Sequence, residues 1–494
     1  MEPAPAIGLE QRLQQLQEAF HHTDDLVLSV LQSSTLDSRT VLVYLEPLVD
    51  SDKIRDSIVL PLSQALGMPI LHALGGTNVA PVTTLKQAID LVLLGYCLVC
   101  SETEPLGAAV QVDTTYTRSI MEPQNEKVVR GSHEGMVEQM SINLNLIRRK
   151  ITSEKLTIKY YFLGTETKTK TAVIFMDEIV NPRLVRKVER RLKSIHSDDA
   201  FSADYAEDLI EENPWSLFPQ ILHTERPDRV AANLMEGRVA VLMEGSPTSL
   251  IMPVTFAALY QSPDDYNSRW MVGSFFRMIR VFSFFLAFSL PAIYIAVISY
   301  HFEIVPNELI LPMQSAVRDI PFPPIVEAML MEITIELLRE MGIRLPTPIS
   351  QTIGIVGGLV IGDAVVKAGF VSSVMIIVVA VTAIASFVVP SNEMSLAVRL
   401  LRFPFMILAS LFGILGISFG FTLVCIHLCK LESFGTPFLA GTAPFKWSDI
   451  KDTFVRLPQW LMNTRPSFLR TRRKRSQAST RKWAGHESKQ RKTK

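Results

Sequence analysis

The stretch IVEAMLMEITIELLREM (residues 325–341) sets Glu332, Glu336 and Glu340 at four-residue steps, so three carboxylates share one face of a helix. Val326, Met329, Leu330, Ile333, Leu337 and Met341 line the other face. Prolines bracket the stretch, and it is short and acidic for an ordinary membrane span. It can lie along an interface, dip in as a re-entrant segment, or line a watery passage. A second stretch, GIVGGLVIGDAVVKAG (354–369), carries Gly354, Gly358 and Gly362, then Asp363 and Lys367. Ionisable groups in such apolar surroundings mark ion or substrate paths. An Asp and a Lys at i, i+4 can equally neutralise each other, and both readings stand. The glycines stay within about 40° per step on one helical face. Each costs a helix about 1 kcal/mol relative to alanine in water, whereas small-xxx-small spacing in a membrane lets two helices approach closely. The spacing therefore predicts a close neighbour, within the chain, in another subunit or along a pore. Gly413, Gly416 and Gly420 repeat the device and predict a tightly packed bundle.

Other chemistry is sparse. No phosphate-binding G-x-x-x-x-G-K-[ST], no G-x-G-x-x-G after a strand and no H-E-x-x-H occurs, and SHEGM (132–136) lacks a second histidine. Nothing resembles a nucleophile–base pair, so the sequence makes no case for an enzyme, a cofactor or a metal. Cys97 and Cys100 form a C-x-x-C, but GYCLVCSE reads as a core strand with no second ligand pair. Cys425 and Cys429 read as small packing residues of an apolar helix.

The elements that hold these residues divide the chain. Its 494 residues average a mean hydropathy of +0.23. That average hides a mixed first half, an apolar region at 281–430 and a basic end. Spans are expected at 281–300, 371–389 and 403–429, with 349–370 as an unconventional fourth. Pro291 is tolerated inside the first. Of 49 Lys/Arg and 49 Asp/Glu, 12 basic residues and one Glu lie from Arg465 onward, leaving 37 against 48 elsewhere. Such a tail is drawn to anionic lipid at about 1 kcal/mol per charge, and no aromatic-rich module accompanies it to suggest nucleic acid. Arg399 and Arg402 favour the cytoplasmic side of the last span, and so does the tail beyond it. Both cannot be cytoplasmic if 403–429 crosses once. The acidic segment either stays out, giving four spans and an internal tail, or crosses, giving five; its shortness favours four. No signal peptide is recognisable, which predicts a cytoplasmic first half.

That half contains a repeat. TVLVYLEPLVD (40–50) parallels TAVIFMDEIVN (171–181), and LLGYCLVCSE (93–102) parallels MEGRVAVLMEG (235–245), with Gly95 against Gly237 and Glu102 against Glu244. Each unit then adds a second hairpin strand, GAAVQVD or SLIMPVT. The expected fold class is α/β plus all-α membrane. Two similar small α/β subdomains (1–125 and 126–270) precede a multi-span helical domain (271–430) and a basic C-terminal tail (431–494).

Several stretches resemble the A subunits of GerA-type spore germinant receptors: NPWSLFPQILHTERPDRVAANLMEGRVAVLMEGSPTSLIMPVTF, EAMLMEITIELLREMGIRLP, IGIVGGLVIGDAVVKAGFVS, ASFVVPSNEMSLAVRLLRFPFM and SFGTPFLA. The resemblance covers most of 128–444, and the basic tail looks longer than the family pattern needs. It implies a spore inner-membrane protein that works with a transporter-like B subunit and a lipoprotein C subunit, and a homo-oligomeric ring forming a nutrient-gated monovalent cation channel. A-like relatives acting with other spore membrane proteins share the pattern. A pore between copies would reconcile glycine-faced helices with an acidic one, with Glu332 and Glu336 helping to set cation preference. A secondary transporter component or a membrane-tethered scaffold are the alternatives, although the spans show no inverted repeat.

Overall fold

The computed structural model describes residues 8–478 and Thr480, except 32–38, 65–67, 69, 76–77, 103–106, 115–121, 319, 347–348, 350–353, 356–357 and 359–361. The 349–370 segment is therefore described only at Ile349, Gly354, Ile355, Gly358 and from Gly362 onward.

Two five-stranded antiparallel sheets form the first half. The first comprises β1 (Leu26–Leu31), β2 (Thr40–Leu45), β3 (Val79–Pro81), β4 (Tyr96–Ser101) and β5 (Ala108–Gln111), in the order β1-β2-β4-β5-β3. The second comprises β6 (Leu156–Leu163), β7 (Thr169–Met176), β8 (Leu222–Thr224), β9 (Val239–Met243) and β10 (Ser249–Met252), in the order β6-β7-β9-β10-β8. The two orders are the same path drawn twice. The paralleled stretches supply equivalent strands, β2 with β7 and β4 with β9, and Val41 faces Cys100 as Ala172 faces Leu242. Gly95 and Gly237 both turn a helix into a strand with positive φ, +87° and +103°, which a side chain resists.

Both faces of the central strands are covered, so they read as unbroken apolar runs rather than alternating ones. Helices α1 (Leu9–Ala19) and α2 (Leu85–Leu93) cover Val41, Val43 and Leu98. In the second sheet, α3 (Met140–Lys150) and α6 (Pro227–Glu236) cover Ala172 and Ile174, while α4 (Pro182–Lys193) and α5 (Ala203–Ile210) cover Val173 and Phe175. Cys97 and Cys100 are buried free thiols on β4, and burial raises both thiol pKa values, that of Cys100 to about 11. The two units are joined through α3: Arg148 pairs with Asp25 at 2.8 Å, both side chains fully buried.

The second half is helical: α7 (Trp270–Tyr300), α8 (Asn307–Arg318), α9 (Pro324–Arg344), α10 (Ser373–Phe387), α11 (Asn392–Phe412) and α12 (Ile414–Lys430). Helices α7 and α11 are long and apolar enough to cross a membrane; α10 and α12 are apolar but shorter. The core of the second unit runs unbroken into this bundle. Ring contacts carry it from Phe256 to Tyr260 (4.9 Å), Phe284 (5.7 Å), Phe288 (5.2 Å) and Phe405 (4.8 Å).

Three features differ from the sequence reading. Helix α7 begins eleven residues before 281, because Arg277 and Arg280, which end the apolar window, are held by Asp265, with Asp452 also holding Arg277. The expected single span at 403–429 is two helices. Gly413 (φ +59°) breaks it, α11 starts at Asn392, and α12 folds back as a hairpin. An added Cβ at Gly416 would overlap the Leu408 carbonyl and one at Gly420 would lie 2.9 Å from Leu408 Cδ1, so these two glycines let α12 lie against α11. The hairpin brings the C-terminal segment back to the α/β region. His427 Nε2 is 2.9 Å from Ser216 Oγ, Ser433 Oγ donates to the Gln220 carbonyl at 2.6 Å, and Arg465 Nε donates to the Met235 carbonyl at 2.8 Å. Arg465, the first residue of the basic end, is thus buried in protein rather than presented to lipid.

Candidate functional site: a charged seam between helices

Helix α9 runs antiparallel to α11. Its acids advance along the chain as their partners on α11 recede. Glu332 takes Arg402 as its ion-pair partner, and Glu336 Oε2 accepts from Arg399 Nη1 at 2.7 Å. The spacing explains the match: four residues on one helix and three on the other each advance about one turn, or roughly 5 Å. Arg402 (1 % exposed) and Glu332 (0 %) are sealed in apolar surroundings, and Arg402 Nε also donates to the Ala287 carbonyl of α7 at 2.9 Å. Arg339 extends the row, donating to Ser386 Oγ at 3.1 Å with its guanidinium over the Phe387 ring. At the other end, Glu327 Oε2 accepts from the Ser372 amide at 3.1 Å, a carboxylate set at the positive N-terminus of α10. Tyr294 meets the same Ser372 through its hydroxyl at 3.0 Å.

Three carboxylates and three guanidiniums therefore thread an otherwise apolar bundle. Burying ions is costly unless they are paired and hydrogen-bonded. Here the pairing is incomplete: one oxygen each of Glu327, Glu332 and Glu336, Nη2 of Arg402 and Nε of Arg339 and Arg399 are buried without a hydrogen-bond partner among the described residues. The seam thus keeps hydrogen-bonding capacity that its own pairs do not use.

The bundle is apolar outside and charged inside. On α9, Glu327, Glu332 and Glu336 face α10 and α11, Glu340 is exposed and pairs with Arg344 of its own helix, and Val326, Leu330, Ile333, Leu337 and Met341 are exposed. Ile377, Ile384, Leu400, Leu411, Leu415 and Phe419 continue that outer surface. Helices in water show the reverse pattern.

The remaining sequence candidates lie apart from the seam. Asp363 and Lys367 pair with each other at 2.6 Å and stay 59 % and 74 % exposed, so the neutralising arrangement is the one present. A Cβ added at Gly354, Gly358 or Gly362 meets nothing within 4 Å, so the stripe has no neighbour among the described residues. Sequence reasoning treated Arg399 and Arg402 only as topology signals and passed over Arg339 and Glu327. The available signal was the complementary spacing, acids at i, i+4 and bases at i, i+3.

The described residues thus form a doubled α/β unit joined to a helical bundle with its charges inside and its oil outside. Residues 14–468 match the family described as Bacillus/Clostridium GerA spore germination protein, and the chain belongs to that family. It is 40% identical over 432 residues to "Uncharacterized membrane protein YfkQ" of Bacillus subtilis (strain 168), covering 86% of this chain and 84% of that one. It is 37% identical over 466 residues to "Spore germination protein B1" of the same organism (93% and 96% covered) and 39% identical over 419 residues to its "Spore germination protein A1" (84% and 87%). The crystal structure of the N-terminal domain of the A subunit of the Bacillus megaterium spore germinant receptor GerK3 aligns with 52% of this chain and 99% of that one, at 24% identity and a TM-score of 0.39.

Proposed function

We propose that this chain is the A-type subunit of a nutrient-responsive germinant receptor in the spore inner membrane, and that several copies assemble there into a ligand-gated monovalent cation channel. The observation that carries the reading is the charged seam inside a bundle whose outer surface is apolar, because ionisable groups persist in lipid-facing bundles where ions or water pass. In this reading Glu332 and Glu336 set cation preference, and opening loosens α9 from α11. The stripe Gly354, Gly358 and Gly362, without a neighbour among the described residues, packs on the neighbouring copy. A transporter-like B subunit and a lipoprotein C subunit bring the nutrient signal, and the basic end beyond the segment held by the α/β region meets anionic lipid.

The test is potassium efflux from liposomes carrying the full chain, alone and with its partner subunits, compared with Gly358→Leu and with Glu332→Gln plus Glu336→Gln. Cation-selective efflux that Gly358→Leu alters and the double variant makes less selective supports the channel. Absence of efflux from well-incorporated oligomers with partners and nutrient present overturns it in favour of a second reading, a membrane-tethered scaffold. The sealed pairing of Glu332 with Arg402 favours that second reading. Saturable, substrate-coupled flux would instead mark a transporter component.

A further inference from the structure

Where α11 enters the bundle, it meets the second α/β unit at a group of side chains the seam does not use. Asp204 and Glu207 lie three residues apart on α5 and share a face. His223 is the middle residue of the edge strand β8, and Glu393 sits in the first turn of α11 beside its Ser391 cap. The imidazole joins them. Its Nε2 hydrogen-bonds Glu207, and its Nδ1 lies 3.4 Å from Asp204 Oδ1 and 3.4 Å from Glu393 Oε1. Glu207, His223 and Glu393 each offer a ligand atom within 4.8 Å of the others.

We infer that His223 Nδ1, Asp204 and Glu393 form a divalent-cation site that fastens α11 to the second α/β unit, with Glu207 as the residue that orients the imidazole. Spacing, orientation and charge all support it. First, the two separations from Nδ1, to Asp204 and to Glu393, are each 3.4 Å, long for a hydrogen bond of about 2.7–3.2 Å but equal to two ligand–ligand edges of a tetrahedron with metal–ligand distances of about 2.1 Å. Second, a metal-bound histidine almost always gives its other ring N–H to a carboxylate, which fixes tautomer and ring plane; Glu207 occupies that place. Third, the charge is uncompensated. Asp204, Glu207 and Glu393 form ion pairs with His223 alone among the described residues, and none pairs with a Lys or Arg. Three carboxylates around one imidazole make a concentration of negative charge that a divalent cation would offset. With the imidazole neutral, the dication balances the two ligating carboxylates, and the Glu207 carboxylate holds the Nε2–H.

Access is open. His223 and Glu207 are mostly buried, Asp204 is exposed, and the group lines a cleft of about 610 Å³ with Asn125, Thr248 and Asn392. A nitrogen and two oxygens suit Zn²⁺, Co²⁺ or Mn²⁺ better than Mg²⁺. Glu393 precedes Arg399 and Arg402 by six and nine residues, about 9 and 13 Å along α11. Occupancy would therefore fix the helix that carries two of the six charged groups of the seam.

Titrating chelator-treated, detergent-purified full chain with Co²⁺ tests the site. The expected result is one equivalent per chain with the visible bands of a low-symmetry N/O site and without the near-ultraviolet thiolate band that the accessible Cys429 would produce. His223→Ala and Glu393→Gln should each weaken binding at least tenfold, and Glu207→Gln, which acts only through the imidazole, about 10–100-fold. Asp204→Asn guards against loss of folding, because that side chain is largely exposed, and should also weaken binding at least tenfold. No bound Co²⁺ in the parent protein, a thiolate spectrum, or unchanged affinity in folded Asp204→Asn and Glu393→Gln would overturn the proposal.

Discussion

Replacing Arg402 with methionine removes the cation from a carboxylate that has no access to solvent. Glu332 then keeps a buried charge with no partner, which costs about 3–5 kcal/mol when one member of a buried pair is lost. Replacing Glu332 with leucine strands Arg402 instead, with a similar loss. Replacing both leaves two apolar side chains of comparable volume, and such exchanges run neutral to stabilising. Methionine also forgoes the hydrogen bond from Arg402 Nε to the Ala287 carbonyl, worth about 1 kcal/mol. The double variant should therefore fall within about 1 kcal/mol of the parent, several kcal/mol above the sum of the singles. At roughly 2–4 °C per kcal/mol for a unit of 150–250 residues, each single should lower the melting temperature by about 6–20 °C. Thermal unfolding of the detergent-purified chain, followed by intrinsic fluorescence, measures all four corners of the cycle. Additive singles, with the double variant the least stable of all, would show that the pair is not sealed and would refute the reasoning.

Other substitutions probe neighbouring features. Gly416→Ala forces a Cβ onto the Leu408 carbonyl, so α11 and α12 must part; the expected loss is about 1–3 kcal/mol, read as a lower melting temperature and weaker cross-linking between cysteines placed on the two helices. Asp25→Asn strands Arg148 between the two α/β units and should cost about 3–5 kcal/mol, with faster amide exchange in β6 as the local readout. Asp363→Asn combined with Lys367→Gln removes a pair open to its surroundings and should change stability by less than about 1 kcal/mol in detergent; a larger loss would mean another surface covers it.

What the sequence disclosed follows from how locally each feature is encoded. The repeat was legible because a buried strand followed by a turn leaves a short, dense signature. Gly95 and Gly237 matched because both sit where the backbone must turn left-handed. Residues 97–100 were legible as strand because both faces of β4 are covered, leaving no polar position to mislead. The break at Gly413 was not legible. Apolar residues flank it on both sides, so hydropathy runs straight through the turn, and three glycines with two different tasks read as one stripe. One makes the turn and two admit the partner helix. The seam was half legible: periodicity exposed Glu332 and Glu336, but their partners lie 70 and 63 residues away on another helix. The group around His223 was invisible for the same reason, its members being spread from 204 to 393.

The path of the chain beyond α12 bears on how the protein is made. Asp452 and Arg456 complete the surroundings of Arg277, Asp265 and Ser274, at the threshold where the second α/β unit becomes α7. A ribosome delivers those two residues only after every helix of the bundle has been synthesised. Until then, the first turns of α7 carry a guanidinium lacking one of its carboxylates, and the junction cannot close. The joint at the start of the bundle is therefore finished after the bundle's own last helix. A message cut short after α12 would yield a polypeptide with all its helices and an unfinished hinge, a natural mark for proteolytic quality control.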